Sequence, residues 1–298
     1  MLVRHTRAAG ALVSTIAVCA TAAGVTACAP RIDPTGASVA VSVRSPATRA
    51  EASNYTQTSS YGDVRAFINT LRARNNTLAF GSIGRTNQGR DIPYIIASRP
   101  MVSTPEQARA LGRPVVYVNA NIHAGEVEGK EALLALVRDL SDQRGTNVLD
   151  SIVLIAVPIY NADGNERFKP QSINRTEQNG PELVGERANA QGLDLNRDYI
   201  KAEAPETRAS LAMFDAWDPD VYVDLHTTDG SYHGYALTYS PSLNPASYAA
   251  AFAGALTRDT ILPELRARMQ RHGIAVFDYG NFDSGYEEHD IADTVKHG

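Results

Sequence analysis

The chain has 298 residues, 43% of them hydrophobic and 20% charged, with a formal net charge of -5. That is enough apolar material for one sizeable core. Acidic and basic residues are interspersed with no basic stripe, so nucleic acid is excluded as a partner for want of an electrostatic footprint. The two cysteines, Cys19 and Cys28, both lie in the first thirty residues, so the domain beyond them has no internal disulfide.

Arg4, His5 and Arg7 precede the apolar stretch Ala8 to Val25, which is too short in its strongly hydrophobic part to anchor the chain and reads as an export leader. Val25-Thr26-Ala27-Cys28 resembles the lipobox of bacterial lipoproteins. That resemblance implies a signal peptide over residues 1–27 and a lipid on Cys28 that ties the protein to a membrane. Ordinary secretion after Ala20-Thr21-Ala22 is the alternative, and either route exports the protein to the periplasm or beyond. Residues 28–60, rich in Ala, Ser, Thr, Pro and Arg without a sustained period, read as a flexible tether. One domain is expected over residues 61–298.

Within that domain Val64, Phe67, Ile68 and Leu71 fall at helical spacing, and Ile92 to Ala97 reads as a strand. Thr104-Pro105-Glu106-Gln107 combines a capping residue with a proline at the first helical position. Val115 to Val118 is a β-branched and aromatic run that passes through a tight turn into Leu133, Leu136, Val137 and Leu140 at helical spacing. Ile152 to Ile159 is a strand apolar on both faces, Pro205 opens a helix with Leu211, Phe214 and Trp217, and Val221 to Leu225 is a further strand. Ala246 to Arg271 is mostly helical, with a break near Pro263. The alternation predicts an α/β fold with a mixed, largely parallel central sheet and helices on both faces.

The turn after Val118 carries His123 and Glu126, three residues apart, so both side chains can reach one atom. An imidazole and a carboxylate are ordinary zinc ligands, but catalytic zinc takes three, and a lone His-x-x-Glu is more often a solvated histidine and an unrelated acid. His226 follows the strand Val221 to Leu225 at its carboxyl end, where open α/β sheets bind ligands, and supplies the third. Two polar loops lie where a substrate would: Asn161-Ala162-Asp163-Gly164 with Arg167, Arg175 and Gln178-Asn179 after it, and Gly192 to Asp198. An arginine beside acids is usually a surface ion pair, a reading that weakens next to a metal.

Taken in order, His123-x-x-Glu126, Asn161-x-Asp163-Gly164, Asp194-x-Asn196-Arg197 and His226 resemble the zinc carboxypeptidases of the carboxypeptidase A kind, from about Tyr61 onward. The resemblance implies one zinc per chain held by His123, Glu126 and His226, with Asp194 fixing the tautomer of His123. It further implies that Asn196 and Arg197 bind the free C-terminal carboxylate of a peptide, for which a guanidinium fork is well shaped. An arginine between the two loops would polarise the scissile carbonyl. Arg167, Arg175 and Arg187 are available, Arg175 matching best in spacing and Arg167 staying open. The segment from Thr227 to Tyr235 departs from the animal digestive enzymes and resembles bacterial members, and His233 within it reads as a surface histidine, with a fourth polar group at the site as the alternative.

The implied activity is hydrolysis of the C-terminal peptide bond by zinc-activated water. A deacylase of N-acyl amino acids, related to aspartoacylase, shares the zinc motif, but the leader favours a peptidase. A zinc- or peptide-binding lipoprotein without turnover is the rival from another class, because the family's general-base glutamate is not found. After His226 come Glu264, in a helical pattern behind Pro263, and Glu287 and Glu288, in a tail without a β-branched run. The expectation is a chain that stops short of its base and works at least about 100-fold more slowly than a complete homologue. Side-chain preference is not legible.

Overall fold

Capping chemistry sets where the first helices begin. Thr48 caps α1 (Arg49–Ala52) and Ser60 caps α2 (Tyr61–Arg74). In each, the cap hydroxyl accepts from the third helical amide, and that residue's carboxylate, Glu51 or Asp63, accepts from the cap amide. Two of the donors that every helix start leaves open are thereby satisfied. This computed structural model describes residues 45–176, 180–227, 235–241 and 248–279. The segment expected to be a leader, with Cys28, lies outside the described residues, as do Gln178, Asn179, His233, Glu287 and Glu288.

Next come strands β1 (Leu78–Arg85) and β2 (Asp91–Ala97), helix α3 (Pro105–Leu111), strand β3 (Val115–Ala120), helix α4 (Glu128–Asp142) and strand β4 (Val153–Val157). Thr104 caps α3 as expected, and Gly112 at φ 64° ends it in the left-handed conformation that glycine adopts without steric cost. Helix α7 (Pro205–Trp217) leads to strand β7 (Val221–Leu225). Between β4 and α7 lie α5 (Ala162–Asn165), β5 (Lys169–Pro170), α6 (Gln171–Asn174), β6 (Leu183–Val184) and a 3-10 turn, Leu195–Arg197. Beyond β7 a parallel pair, β8 (Leu237–Tyr239) and β9 (Val276–Asp278), accompanies helices α8 (Tyr248–Leu256) and α9 (Leu262–Arg271). A π-helical stretch, Thr257–Ile261, joins those helices just before Pro263, at the break expected there.

The sheet runs β1-β2-β4-β3-β7. Strands β4, β3 and β7 are parallel, while β2 and β1 add on antiparallel, so the mixed sheet has its parallel half where the site forms. Alternate residues of each strand serve opposite faces. Val118, Ala120, Leu154 and Ala156 pack under α2 and α4, and Tyr117, Val153, Ile155 and Val157 pack under α3 and α7. The β3–α4–β4 crossover covers one face and the route through α7 to β7 covers the other, so the carboxyl ends of β3 and β7 meet where the winding reverses.

Several positions differ from expectation for physical reasons. β1 was not legible because Gly81 and Gly84 interrupt its pattern. Gly81 sits opposite Tyr94, whose ring occupies the space a side chain would need, with its atoms 2.4 Å from where a Cβ would stand. On α7 the buried stripe is Glu206, Ser210, Met213 and Trp217, leaving Leu211 and Phe214 exposed. Among the described residues β7 is the sheet's edge strand, with Tyr222 and Val223 exposed.

The tether expectation is corrected over residues 45–60, which are packed. Glu131 of α4 is buried and accepts hydrogen bonds from Thr58 Oγ1 (2.8 Å), the Ser59 amide (2.6 Å), Ser59 Oγ (3.0 Å) and the Ala50 amide (3.4 Å). Its neighbour Lys130, wholly buried, donates to the Ser59 carbonyl (2.6 Å) and Asn165 Oδ1 (2.5 Å). Burial holds that ammonium down at about 8. Arg138 grips Glu51 through both terminal nitrogens (2.5 and 2.9 Å). Low hydrophobicity suggested a tether, but polar anchors hold this arm, and they lie on another element a long way off in sequence. Glu131→Ala strands several buried donors at once, so we expect a loss of about 3 kcal/mol in urea unfolding and faster proteolysis within residues 45–60. Unchanged cleavage there would refute the anchoring role.

Candidate metal centre

β3 ends at Ala120, and Asn121 adopts φ 65°, a left-handed conformation that asparagine tolerates, turning the chain out of the sheet. The Asn121 side-chain amide donates to the carbonyls of Ala124 (3.3 Å) and Glu126 (3.5 Å), and the Glu126 amide donates to the His123 carbonyl (3.0 Å). His123 and Glu126 thus lie on this closed turn, ahead of α4 and not within its first turn. The turn still aims both side chains together, with His123 Nδ1 2.8 Å from Glu126 Oε1. Gly129 lets α4 press against the end of β7, because a Cβ there would stand 2.7 Å from Leu225 Cβ and 3.0 Å from its carbonyl oxygen.

His226 arrives from that strand end with Nδ1 2.9 Å from Glu126 Oε2, an oxygen that also accepts from the Thr227 amide (3.0 Å). The two imidazoles lie edge to face, with centroids 4.9 Å apart. One donor atom from each of His123, Glu126 and His226 lies within 4.8 Å of the others. On the far side of each ring stands a carboxylate: Asp194 Oδ1 is 3.0 Å from His123 Nε2, and Asp224 Oδ2 is 2.9 Å from His226 Nε2. Two imidazoles and a carboxylate converging, each ring backed by an acid that fixes its tautomer, is a donor set that fits zinc.

The charges reinforce one another. Burial would raise the Glu126 carboxyl, but its bonds to His123 and His226 outweigh that and bring it down to about 2. Desolvation would lower His226, yet its hydrogen bonds to Asp224 and Glu126 push it up to about 10. Asp194, despite partial desolvation, is held well below the carboxylate range by His123 and Arg187.

Asp194 also organises its own loop. Its Oδ1 accepts the Asn196 amide (2.9 Å), starting the 3-10 turn Leu195–Arg197, and its Oδ2 accepts Arg187 Nε (2.9 Å). Asn196 and Arg197 therefore sit one turn away from His123, with Arg197 exposed.

The arginine expectation is corrected. Arg175 is buried with Nη1 on Glu128 (3.0 Å to each oxygen) and the Gly125 carbonyl (3.3 Å), and Nη2 on Thr227 Oγ1 (2.9 Å). Arg167 is held by Glu186 and the carbonyls of Asn189 and Ala190. Arg187 is the one beside the donors, its Nη1 3.1 Å from His123 Nδ1 and 3.7 Å from Glu126 Oε1. Its available signal was proximity in sequence to Asp194, the residue that aims it. Asp224 was likewise missed as a partner, although side chains two apart on a strand share a face and Asp224-x-His226 could have been read that way.

The Asn161-Ala162-Asp163-Gly164 turn is a buried brace and not a substrate loop. Asn161 Nδ2 donates to the carbonyls of Ile122 (3.3 Å) and Arg187 (3.0 Å), tying the histidine turn to the arginine loop, while its Oδ1 accepts from the Gly164 amide (2.9 Å). Asp163 accepts from Thr86 Oγ1, the Gln88 amide and Arg90.

The zinc carboxypeptidase family model (Peptidase_M14) matches residues 64–258. Carboxypeptidase 2 of Trichophyton equinum is 24% identical over 168 residues, covering 55% of this chain and 27% of that protein. Carboxypeptidase D of Homo sapiens is 30% identical over 160 residues, covering 51% of this chain and 11% of that protein. The chain thus spans well under a third of the length of these relatives. In fold it is similar to a carboxypeptidase A from Helicoverpa armigera (TM-score 0.54, 19% identity, 79% of this chain and 60% of that one). It is also similar to a metallo-carboxypeptidase from Pseudomonas aeruginosa solved with (2-guanidinoethylmercapto)succinic acid (TM-score 0.54, 20% identity, 79% and 54%).

A metal ligand must be deprotonated, so a His226 that titrates near 10 in the metal-free protein has to give up its proton on zinc uptake. We expect release of about one proton per zinc at neutral pH, read by calorimetry in buffers of different ionisation enthalpy, and affinity that rises with pH until about 10. Zinc uptake without proton release would refute this. Asp224→Asn should weaken zinc about 10- to 100-fold.

Proposed function

The chain belongs to the zinc carboxypeptidase family, and on that premise we propose that it releases the C-terminal residue of peptides at the site formed by His123, Glu126 and His226. The observation that supports this best is the convergence of those three donors, with a carboxylate behind each imidazole and the Asn196-Arg197 turn fastened to the same acid that backs His123. When bound, zinc supplies Lewis acidity, which brings hydroxide within reach at neutral pH.

The protein's own groups do the rest. Asp194 and Asp224 accept from the Nε2 side of their rings, so the Nδ1 of each ring faces inward and, once His226 has lost its proton, would be the atom that holds the metal. Arg197 pairs with the terminal carboxylate of the substrate and Asn196 donates to it, which fixes the last peptide bond over the cluster. Arg187 holds the charge that develops on the carbonyl oxygen, a role for which its position beside His123 Nδ1 recommends it over Arg175. Glu264 is an exposed partner of Arg268 and Arg271 on α9, an environment unlike that of a positioned base. The deacylase and non-catalytic readings are not favoured by the relatives found. Export through the leader with a lipid on Cys28 stays a proposal resting on Val25-Thr26-Ala27-Cys28; a Cys28→Ser variant still in the detergent phase would count against it.

Arg197→Ala should lower kcat/KM about thirty-fold to several thousand-fold on peptides with a free C-terminus, the usual cost of breaking a desolvated charge pair. Equal turnover of C-terminally amidated peptides would rule out the carboxylate clamp. Arg187→Ala should reduce kcat by about 100- to 1,000-fold, whereas Arg175→Ala should act mainly on stability. The reverse ranking would return the oxyanion role to Arg175.

A further inference from the structure

Alongside the metal cluster, the arm before α2 and the outer face of α4 enclose a cavity of about 450 Å³. Ala50 and Tyr55 line it from the arm, Ala132 and Ala135 from α4, and Pro181 from the loop between α6 and β6. Three carboxylates border it, but each is already engaged: Glu51 by Arg138, Glu131 by the Thr58 and Ser59 donors, and Glu128 by Arg175. The surface left for a ligand is therefore apolar and without uncompensated charge, which selects against ions and favours a hydrocarbon or aromatic group.

Tyr55 is the most exposed large hydrophobic side chain of the lining. It holds φ 62° directly after Asn54 at φ 53°, a left-handed pair, and the residue is 74% exposed. A bulky residue in that region is strained by about 1–3 kcal/mol and persists only where its surroundings impose it, as ligand clamps do. The Glu131 and Arg138 anchors on either side of the loop impose it here.

The cavity shares a wall with the cluster. Val127 and Glu128, which also line it, follow Glu126 directly. Arg175 spans from Glu128 to Thr227 Oγ1, and the Thr227 amide binds Glu126. Gly180 comes close to that guanidinium, since a Cβ there would stand 3.1 Å from Nη1. The Asn196-Arg197 turn joins the cluster through a different donor, His123, by way of Asp194. The cluster thus links the two, to the turn through His123 and to the cavity wall through Glu126.

We propose that this cavity is a subsite for an apolar side chain on the amino-terminal side of the scissile bond, so that the preferred substrates are peptides with a leucine- or phenylalanine-like residue upstream. This rests on the carboxypeptidase reading, and the experiment separates the two. The zinc-loaded full chain is titrated with N-acetyl-phenylalaninamide, which has the apolar side chain but no carboxylate, while the methyl resonances of Ala132 and Ala135 are followed by NMR. Both should shift in the native chain, and the Ala135 shift should vanish in Ala132→Trp, a change at an exposed position that fills the cavity; Ala135→Phe is the second variant, read at Ala132. Absence of shifts in the native chain overturns the proposal.

Acetylated tetrapeptides whose last peptide bond is replaced by an uncleavable methylene-amine are then titrated calorimetrically, with phenylalanine moved through the positions before that bond. At one position binding should be at least about tenfold tighter than for the all-alanine peptide. In Ala132→Trp that advantage should fall below about twofold, and its survival there overturns the subsite. Equal binding of free and amidated C-termini, with the methyl shifts intact, overturns the carboxypeptidase reading and leaves an apolar pocket of another purpose.

Discussion

One carboxylate, Glu126, is shared by two imidazoles. It is buried, where an ionised acid is costly unless paired, and it is paired on both oxygens, with His123 on one and His226 on the other. The two histidines reach it by different routes. His123 depends on the left-handed Asn121 and on Asn161 reaching across from the end of β4, and His226 depends on β7 lying parallel to β3 in one register, where Asn119 stands opposite Asp224 and donates to it (3.2 Å). The sheet's change of winding direction is what leaves these two strand ends adjacent, with helices on opposite faces and room above.

Buried polar residues around the site mostly serve as braces. Asn161, Asp163, Lys130 and Glu131 are all nearly inaccessible, and each binds backbone or side chains from segments distant in the chain. In a low-dielectric interior an unmet polar group is expensive, so a set of bonds that can be met in only one arrangement fixes that arrangement. The motif Asn161-x-Asp163-Gly164 belongs in this class: polar and glycine-bearing like a binding loop, it positions the loops that bind.

This explains what was legible in the sequence. Val115 to Val118 and Ile152 to Ile159 announce strands because burial on two faces demands continuous apolar runs, Val221 to Leu225 because it is a β-branched and aromatic run, and Thr104-Pro105 announces α3 because capping is local. His123, Glu126 and His226 stood out through their placement at strand ends. The choice among Arg167, Arg175 and Arg187 was not legible by spacing, since long flexible side chains can reach many places and their final partners, Glu186, Glu128 and Asp194, are set by tertiary packing. The arm of residues 45–60 misled for the same reason: its composition is that of a solvated linker, and its anchors stand on α4, 72 and 73 positions away for Ser59 and Thr58.

The distance in sequence across the donor set has a consequence for how the molecule comes to be. Glu126 and His226 are separated by 100 positions, and the intervening chain must wind over the second face of the sheet before β7 can dock. Closing so long a loop is slow relative to forming α4 or the β1–β2 hairpin, which need only near neighbours. During synthesis the half-set His123–Glu126 leaves the ribosome well before its partner and offers a metal only two donors. A full donor set must await the docking of β7, so a metal held there would act as a lock on the β3–β7 pairing instead of a seed for it.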